Sequence, residues 1–530
     1  MSRRGFWRPP RRGPGRWSLA CRTPGGLTVR RSLEEGHPER ADAGGTTPAP
    51  RRRSRRSSSW PPGTVPWTAG GRMPRSRDRL SALDSLFLRL ETGAQSLHVG
   101  TVLILEGPAP SPEQFRHHVA ERVASLPILG RRVLPMPFGL GRPIWVDAEG
   151  FDASDHVQHY CLDEPGSDDQ LRAAVACLMA PRLDPRRPLW GVWQVDGLAG
   201  GRWAAVAKAH HTMVDGRSGV GLVQALLADG PGRVPAAAPA AQPRPKPSTV
   251  QLAVDLPVWA AGLALRTLRL AVRSLLAPRA ALQKLRAVRF GLAQVIRPDL
   301  PPSVLNGPLG AERLWGWATA DLAAVQRRAR TAGCTVNDVF LAALAGAFRR
   351  FLLDRGEDLR TVVLRTIVPV AGPDRRRPGA VRNLTSAMFV ELPVQLADPV
   401  ARLAAVTART AEQKARRVAE ATAAFAAMAD HIPAPLLARA GTAYGRSRQG
   451  RVNVAATNLR GPGQTQYLAG RRVLAVIPWV PVALDVRATA AMISYAGDLT
   501  VAVTTDAQAL PDADRLVAAV AEELALLSDD

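Results

Sequence analysis

Aromatic side chains make up only 5% of this 530-residue chain, and cysteines number four. The four (Cys21, Cys161, Cys177 and Cys334) are scattered without a CxxC pair, which argues against a zinc site and against a disulfide framework. Long apolar runs are lacking as well. Stretches such as Leu256 to Leu265 stop at ten residues, short of the ~18 that a membrane span needs, which excludes an integral membrane protein. What is present is a globular composition, 46% hydrophobic and 22% charged, in a chain long enough for about two to four domains.

Acidic residues are scarce in two places, and together these account for most of the formal charge of +25. Residues 1–72 hold 16 Lys+Arg against 4 Asp+Glu, amid Pro, Gly and Ser, with no helical or strand period. Such a segment cannot bury enough apolar surface to offset its ordering entropy, so the expectation is disorder. Ser2-Arg3-Arg4-Gly5-Phe6 has the twin arginines of an export signal, but Arg8-Pro9-Pro10-Arg11-Arg12 follows where an apolar core should stand, so export is not expected. Patterned sequence begins directly after Met73, which we take as the true start, with residues 1–72 upstream of it. A nucleic-acid reading of the charge rests on those residues and falls with them. The second acid-free window runs from Leu256 to Pro298 and carries eight basic residues.

Hydrophobic periodicity divides the rest. From Leu80 to Leu227 helical and strand patterns alternate: strands over His98–Leu105 and Trp203–Ala209, helices over 112–125 and Asp168–Met179, and a short helix over 220–227. Residues 229–247 form a Pro/Ala/Gly linker. In the basic window Leu265, Leu268, Val272 and Leu275 form a stripe, with Arg266, Arg269 and Arg273 one position round the helix and Pro257 and Pro278 as brackets. Two readings stand: a crossover helix whose stripe packs on a domain, or an interfacial helix that touches anionic lipid. A second α/β pattern follows, with a strong amphipathic helix over 335–352, strands over 362–370, Thr385–Leu392, 451–457, Ala488–Tyr495 and 499–505, and a terminal helix over 512–527. The organisation expected is 1–72 as a basic extension, 73–228 and 301–530 as two α/β halves, and 229–300 as linker and basic helix.

The chemistry concentrates in Ala207-Lys208-Ala209-His210-His211-Thr212-Met213-Val214-Asp215-Gly216. An apolar strand delivers two histidines, and a turn brings back a carboxylate and a glycine. Imidazole titrates near working pH, so a positioned histidine can take a proton from a hydroxyl. A second histidine pair, His117-His118, lacks the preceding strand and the Asp-Gly, and reads as surface polarity. Lone histidines such as His98 and His156 read as structural.

His210-His211-x-x-x-Asp215-Gly216 resembles the signature of CoA-dependent acyltransferases of the chloramphenicol acetyltransferase-like superfamily, which includes peptide-synthetase condensation domains. The surroundings resemble, more narrowly, bacterial wax ester synthase/diacylglycerol acyltransferases. These are Leu83-Asp84-Ser85-Leu86-Phe87-Leu88 with Glu91 and His98-Val99-Gly100; Leu183-Asp184 with Pro188-Leu189-Trp190; Asn306-Gly307-Pro308; Thr335-Val336-Asn337-Asp338-Val339; and Asn458-Leu459-Arg460-Gly461-Pro462. The chain departs from that family's pattern where Ala371-Gly372 precede Arg375-Arg376-Arg377, and where Asn458-Leu459-Arg460 replaces Asn-Val-Pro.

The resemblance implies an α/β (α+β sandwich) fold of two chloramphenicol acetyltransferase-like domains joined by a long linker, with the active site at their interface. It implies transfer of a long acyl chain from acyl-CoA to diacylglycerol, or to a long-chain alcohol, with no metal and no cofactor. His211 would be the general base, His210 a support, Asp215 a brace for the loop and Gly216 its turn. Asn337, Asp338, Pro188, Leu189, Trp190 and Asn458 are the candidates for lining the substrate site, with helix capping as the alternative task of Asn337 and core packing that of Trp190. The implied location is cytoplasmic, at the inner membrane or lipid inclusions. The competing functions are condensation on another substrate class and lipid binding with little turnover.

Overall fold

The computed structural model describes residues 78–91, 94–124, 126–213, 223, 226–228, 230, 245–295, 299–371, 385–446 and 449–528. Residues 1–72, Asp215, Gly216, the arginine run 375–377 and most of the expected 220–227 helix and 229–247 linker lie outside them.

Fourteen strands are described. The first six are β1 (His98–Leu105), β2 (Arg131–Leu134), β3 (Ile144–Asp147), β4 (Val157–Cys161), β5 (Trp190–Leu198) and β6 (Arg202–His210). The others are β7 (Arg313–Asp321), β8 (Leu364–Ala371), β9 (Thr385–Leu392), β10 (Val454–Arg460), β11 (Tyr467–Leu468), β12 (Arg471–Trp479), β13 (Ala488–Tyr495) and β14 (Asp498–Asp506). They form two six-stranded mixed sheets, ordered β11-β12-β1-β6-β5-β4 and β7-β14-β13-β10-β8-β9, and β2 and β3 make a separate hairpin. The expected strands and helices that fall within the described residues appear within a few residues of their expected ends, and the 220–227 helix lies mostly outside them.

Two strands of the C-terminal half of the chain, β11 and β12, lie in the first sheet. β12 comes from the C-terminal half and pairs antiparallel with β1, from Gly100 opposite Trp479 to Leu105 opposite Val473. Periodicity did not reveal it, because Val473 to Trp479 is an unbroken apolar run with a proline at Pro478. A strand covered on both faces loses the alternation that identifies strands, and proline demotes the assignment further.

The first sheet is covered on both sides. Odd-numbered residues of β6 (Trp203, Ala205, Ala207, Ala209) join a core with Phe115, Val119 and Val123 of the Pro112–Ala124 helix. Even-numbered residues (Ala204, Val206) join another core with Leu171, Val175 and Met179 of the Asp168–Met179 helix. Under the second sheet the Val336–Leu353 helix is buried on nearly every side, with Phe340, Leu344 and Phe348 at the centre of the core. Gly346 on that helix leaves the space that the buried Arg402–Glu523 ion pair occupies; a Cβ there would stand 2.1 Å from Glu523 Oε2.

The basic window differs from its expected bounds. A helix spans Thr249–Leu276 and a second spans Pro278–Val295, so Pro257 lies inside a helix rather than at its start. The start is set upstream by a capping box, with Ser248 Oγ accepting from the Gln251 backbone and Gln251 Oε1 accepting from the Ser248 N–H. Pro257 and Ala253 are both exposed, so water can take up the Ala253 carbonyl that the proline leaves without a donor. The stripe, which one of the two readings packs on a domain, is open: Leu265, Leu268, Val272 and Leu275 are exposed.

Candidate active site

β6 is an interior strand, flanked by β1 and β5, and it ends at His210. Backbone bonds tie its end to both sides: the His210 N–H donates to Leu189 O and the His211 N–H to Leu97 O, each at 2.9 Å. Strand alternation then turns the two imidazoles to opposite faces of the sheet.

His210 is buried at 1% exposure, and its Nδ1 accepts from the Thr212 N–H at 3.0 Å and touches Thr212 Oγ1 at 2.8 Å. An Nδ1 that accepts from a backbone N–H carries no proton, which places the ring proton on Nε2. Nε2 faces Glu91 Oε1 at 3.4 Å. The same carboxylate oxygen accepts from the Leu97 N–H at 2.6 Å and stands 3.4 Å from His98 Nε2. His98 pairs with His210 across β1 and β6, their rings meeting edge to face at 5.5 Å. Its Nε2 accepts from the Leu183 N–H at 3.3 Å. Burial first, then the nearby charge of Lys208, hold the His98 imidazole well below its usual pKa and so neutral.

Lys208, two residues before His210, is on the same face and 2% exposed. Its Nζ donates to Leu178 O at 3.0 Å and to Pro181 O at 2.5 Å. Burial pulls its pKa down to about 7, against the raising effect of Glu91. Opposite it on β1 stands Gly100, where a Cβ would meet Met179 Cε at 2.6 Å and Ala207 O at 2.7 Å. Glu91, His98, Lys208 and His210 are therefore one buried polar cluster behind the strand end.

His211 stands on the other face. It is half-buried, and its ring lies 4.6 Å from that of Phe87, tilted by 49°. Phe87 sits on the Ala82–Leu90 helix, whose Ser81 cap accepts from the Asp84 N–H at 3.0 Å. Met213, two residues past His211, belongs to the same core as Ile493 and Tyr495 of β13, with Leu459 of β10 packed against it. Residues of both halves of the chain thus converge beside the His211 side of β6.

The other candidates divide. Asn337 is half-buried near the start of the Val336–Leu353 helix, and its Oδ1 accepts from Nδ2 of the exposed Asn458 at 3.4 Å, so these two form a polar pair on the surface. The helix cap, considered for Asn337, is made by Thr335 and Asp338. Asp338 is not a free site carboxylate: Oδ2 accepts from the Thr335 N–H and hydroxyl at 2.9 and 2.7 Å, and Oδ1 accepts from the Thr410 hydroxyl at 2.7 Å. Pro188, Leu189 and Trp190 are buried. Trp190 Nε1 donates to Leu129 O at 2.8 Å and its ring stacks on His156 at 4.6 Å, which is a packing role. His118 is more than surface polarity, since it is half-buried with Nε2 3.5 Å from Leu226 O. Asn306 holds three carbonyls, those of Val452 (2.7 Å), Gln449 (3.3 Å) and Asp485 (3.4 Å), which makes Asn306-Gly307-Pro308 a clasp between loops. Sequence reasoning missed the tasks of Phe87, Lys208 and Thr212. Strand alternation gave Lys208 the face of His210, but only tertiary packing shows what it meets there.

Two surface hollows are described, one beside Ser85, Arg142 and Leu437, the other beside Pro301, Glu357 and Val362, and His211 lines neither. Among the described residues no group of three or more His, Cys, Asp or Glu is placed to hold a metal ion.

Two solved structures share this architecture. A wax ester synthase/diacylglycerol acyltransferase from Marinobacter aquaeolei VT8 matches with a TM-score of 0.59 at 22% identity, over 85% of this chain and 100% of that one. The first condensation domain of a calcium-dependent antibiotic synthetase matches with a TM-score of 0.52 at 18% identity, over 85% and 96%. The fold is therefore that of the two-sheet acyltransferases and condensation domains. Family models narrow it further. The wax ester synthase/diacylglycerol acyltransferase catalytic domain matches residues 80–340, and the C-terminal domain of the same family matches residues 382–528. A relative from Mycobacterium tuberculosis, named as a probable diacylglycerol O-acyltransferase, is 34% identical over 85% of this chain and 96% of its own length. A second protein of that organism, also named for that activity, is 30% identical over 85% and 92%. This chain belongs to the wax ester synthase/diacylglycerol acyltransferase family.

Proposed function

We propose that this enzyme moves a long acyl chain from acyl-CoA to the hydroxyl of diacylglycerol, giving triacylglycerol, and accepts long-chain alcohols to give wax esters. His211 is the general base. It takes the hydroxyl proton as the oxygen attacks the thioester carbonyl, the C–S bond breaks, and the proton passes to the departing thiolate. The thioester is already activated, so no serine or cysteine nucleophile and no metal enter the reaction. The observation that carries this reading is the asymmetry of the two imidazoles. His210 has its Nδ1 taken up by Thr212 and is shut in with Glu91, whereas His211 is half-exposed on the face where both halves of the chain meet. Phe87 gives His211 an apolar flank suited to an acyl or alkyl chain. Asn337 and Asn458, paired on the surface, are the candidates for positioning substrate.

The acceptor is carried in lipid, so the enzyme works at a lipid surface, peripherally. The Thr249–Leu276 helix is the proposed contact, because its outward stripe is exposed and Arg266, Arg269 and Arg273 flank it without an acidic residue from Leu256 to Pro298. No single described helix is long and apolar enough to cross a membrane.

The test offers radiolabelled palmitoyl-CoA with diolein or with hexadecanol to wild type and to His211→Ala, and separates the esters by thin-layer chromatography. Loss of a general base costs about 10²–10⁴-fold in turnover. Full-rate ester formation by His211→Ala overturns the assignment.

A further inference from the structure

We infer that the tip of the β2–β3 hairpin, Phe138 to Leu140, is a second membrane-inserting element that joins the outer face of the Thr249–Leu276 helix in docking the enzyme on an anionic phospholipid bilayer. The inference rests on the lipid-surface reading above and adds a site to it.

Phe138 is 95% exposed, the most exposed of the large hydrophobic side chains described, and Leu140 beside it is exposed as well. The backbone of Phe138 adopts φ +55°, the left-handed region that side-chain-bearing residues avoid. From Pro135 to Gly141 the tip carries no charge. An aromatic ring held at the end of an uncharged turn suits insertion at the headgroup and acyl boundary.

The hairpin and the helix are fastened to each other. Met136, Ile144 and Val146 form a small separate core with Leu252 of the helix, and Leu256 packs against it. Above this core a buried ion pair joins Arg79 to Asp255 of the helix, and a second joins Arg142 at the end of the hairpin loop to Asp430. Both guanidinium groups lie over the Trp259 ring, at 5.0 and 5.7 Å from its centre. Arg79 also donates to Arg142 O at 3.3 Å. The clamp fixes the helix about its own axis. Leu252, Asp255 and Trp259 point inward, and Val250, Val254 and Val258, on the opposite side of the helical wheel, are exposed. The outer face therefore continues from the hairpin end of the helix toward Leu275, with arginines along one edge.

Anionic lipid is the occupant that this charge pattern fits. A second copy of the chain would have to place apolar side chains against a window of eight basic and no acidic residues and supply the acidic groups itself. A bilayer with phosphatidylglycerol supplies apolar interior and negative surface together.

The test is sedimentation of the full chain with vesicles of phosphatidylcholine, with and without phosphatidylglycerol, and free of diacylglycerol. Three proteins are compared: wild type, Phe138→Ser with Leu140→Ser, and Arg266→Glu with Arg269→Glu and Arg273→Glu. The hairpin variant is expected to partition roughly 10- to 100-fold less onto the anionic vesicles, the weight of one aromatic and one leucine side chain withdrawn from lipid. Its rate on detergent-dispersed diolein and palmitoyl-CoA should stay at the wild-type level, since both residues are exposed and lie outside the site. Hairpin-variant binding at wild-type strength, with the arginine variant lost from the pellet, overturns this inference and leaves the helix reading intact. Wild-type binding by both variants overturns both readings, and neither outcome bears on acyl transfer. A wild-type dimer that the hairpin substitutions convert to monomer would assign the tip to contact between copies and overturn the inference.

Discussion

Burial gives two neighbouring positions on one strand opposite chemical fates. Lys208 and His210 face inward, and His211 faces the seam. The Lys208 ammonium has its pKa lowered to about 7, against the ~10.4 of free lysine. Above pH 7 the unfolded chain therefore holds a proton at this position that the folded protein has given up, so stability rises with pH between about 7 and the free-lysine range. Below pH 7 both states are protonated and the burial penalty is complete. Wild type is accordingly expected to gain stability in urea titrations from pH 7 to 9 relative to Lys208→Met, whose curve lacks this component. Parallel curves would show that Lys208 stays charged in the fold. Glu91 gives a second prediction. Its carboxylate orders the Leu97 N–H, which lies next to the carbonyl that holds His211, and faces Nε2 of His210. Under the proposed mechanism Glu91→Gln should lower kcat more than it raises KM, because it shifts the strand end that holds His211, the proposed base. An unchanged kcat would reduce Glu91 to a packing residue.

Elements form where local signals agree, and their ends follow caps more than helix breakers. Ser167 with Gln170, Ser248 with Gln251 and Thr335 with Asp338 each close a capping box. Thr335→Ala should cost about 1 kcal/mol by removing one cap bond, and more where the buried Asp338 loses its hydroxyl donor. A shift in urea midpoint would measure it; no shift would mean that the Asp338–Thr410 bond carries the helix start alone. The amphipathic and alternating segments were legible for this reason. The Asp168–Met179 helix and the strands at His98, Thr385 and Ala488 begin and end where the pattern says they should. The Thr249 helix was misjudged because proline was weighed above the upstream cap. On the solvent side of a helix, water relieves most of what proline takes away. Whether the apolar stripe of that helix packs or stands open was not legible at all, since an amphipathic pattern names a face and not its partner.

At the scale of the whole molecule, β12 interlocks the two halves. β12 completes the first sheet by pairing with β1, and β11 pairs with β12 in turn, so a fragment ending near residue 300 would expose β1 as an apolar edge. Expressed alone, residues 73–300 should aggregate or fail to give a cooperative unfolding transition, and co-expression with 301–530 should restore a soluble complex. A soluble, cooperatively folding fragment would contradict this. The sequence by itself determined the acyltransferase motif, the family and most of the elements, because short-range spacing and hydrophobic period are local properties. Tertiary structure alone decided which histidine is buried and which is half-buried on the opposite face, that Asp338 and Trp190 hold the scaffold together, and that strands from the distant C-terminal half close the first sheet. Those outcomes depend on contacts between residues as far apart as Glu91 and His210, or Gly100 and Trp479, and no local pattern encodes a partner more than a hundred residues away.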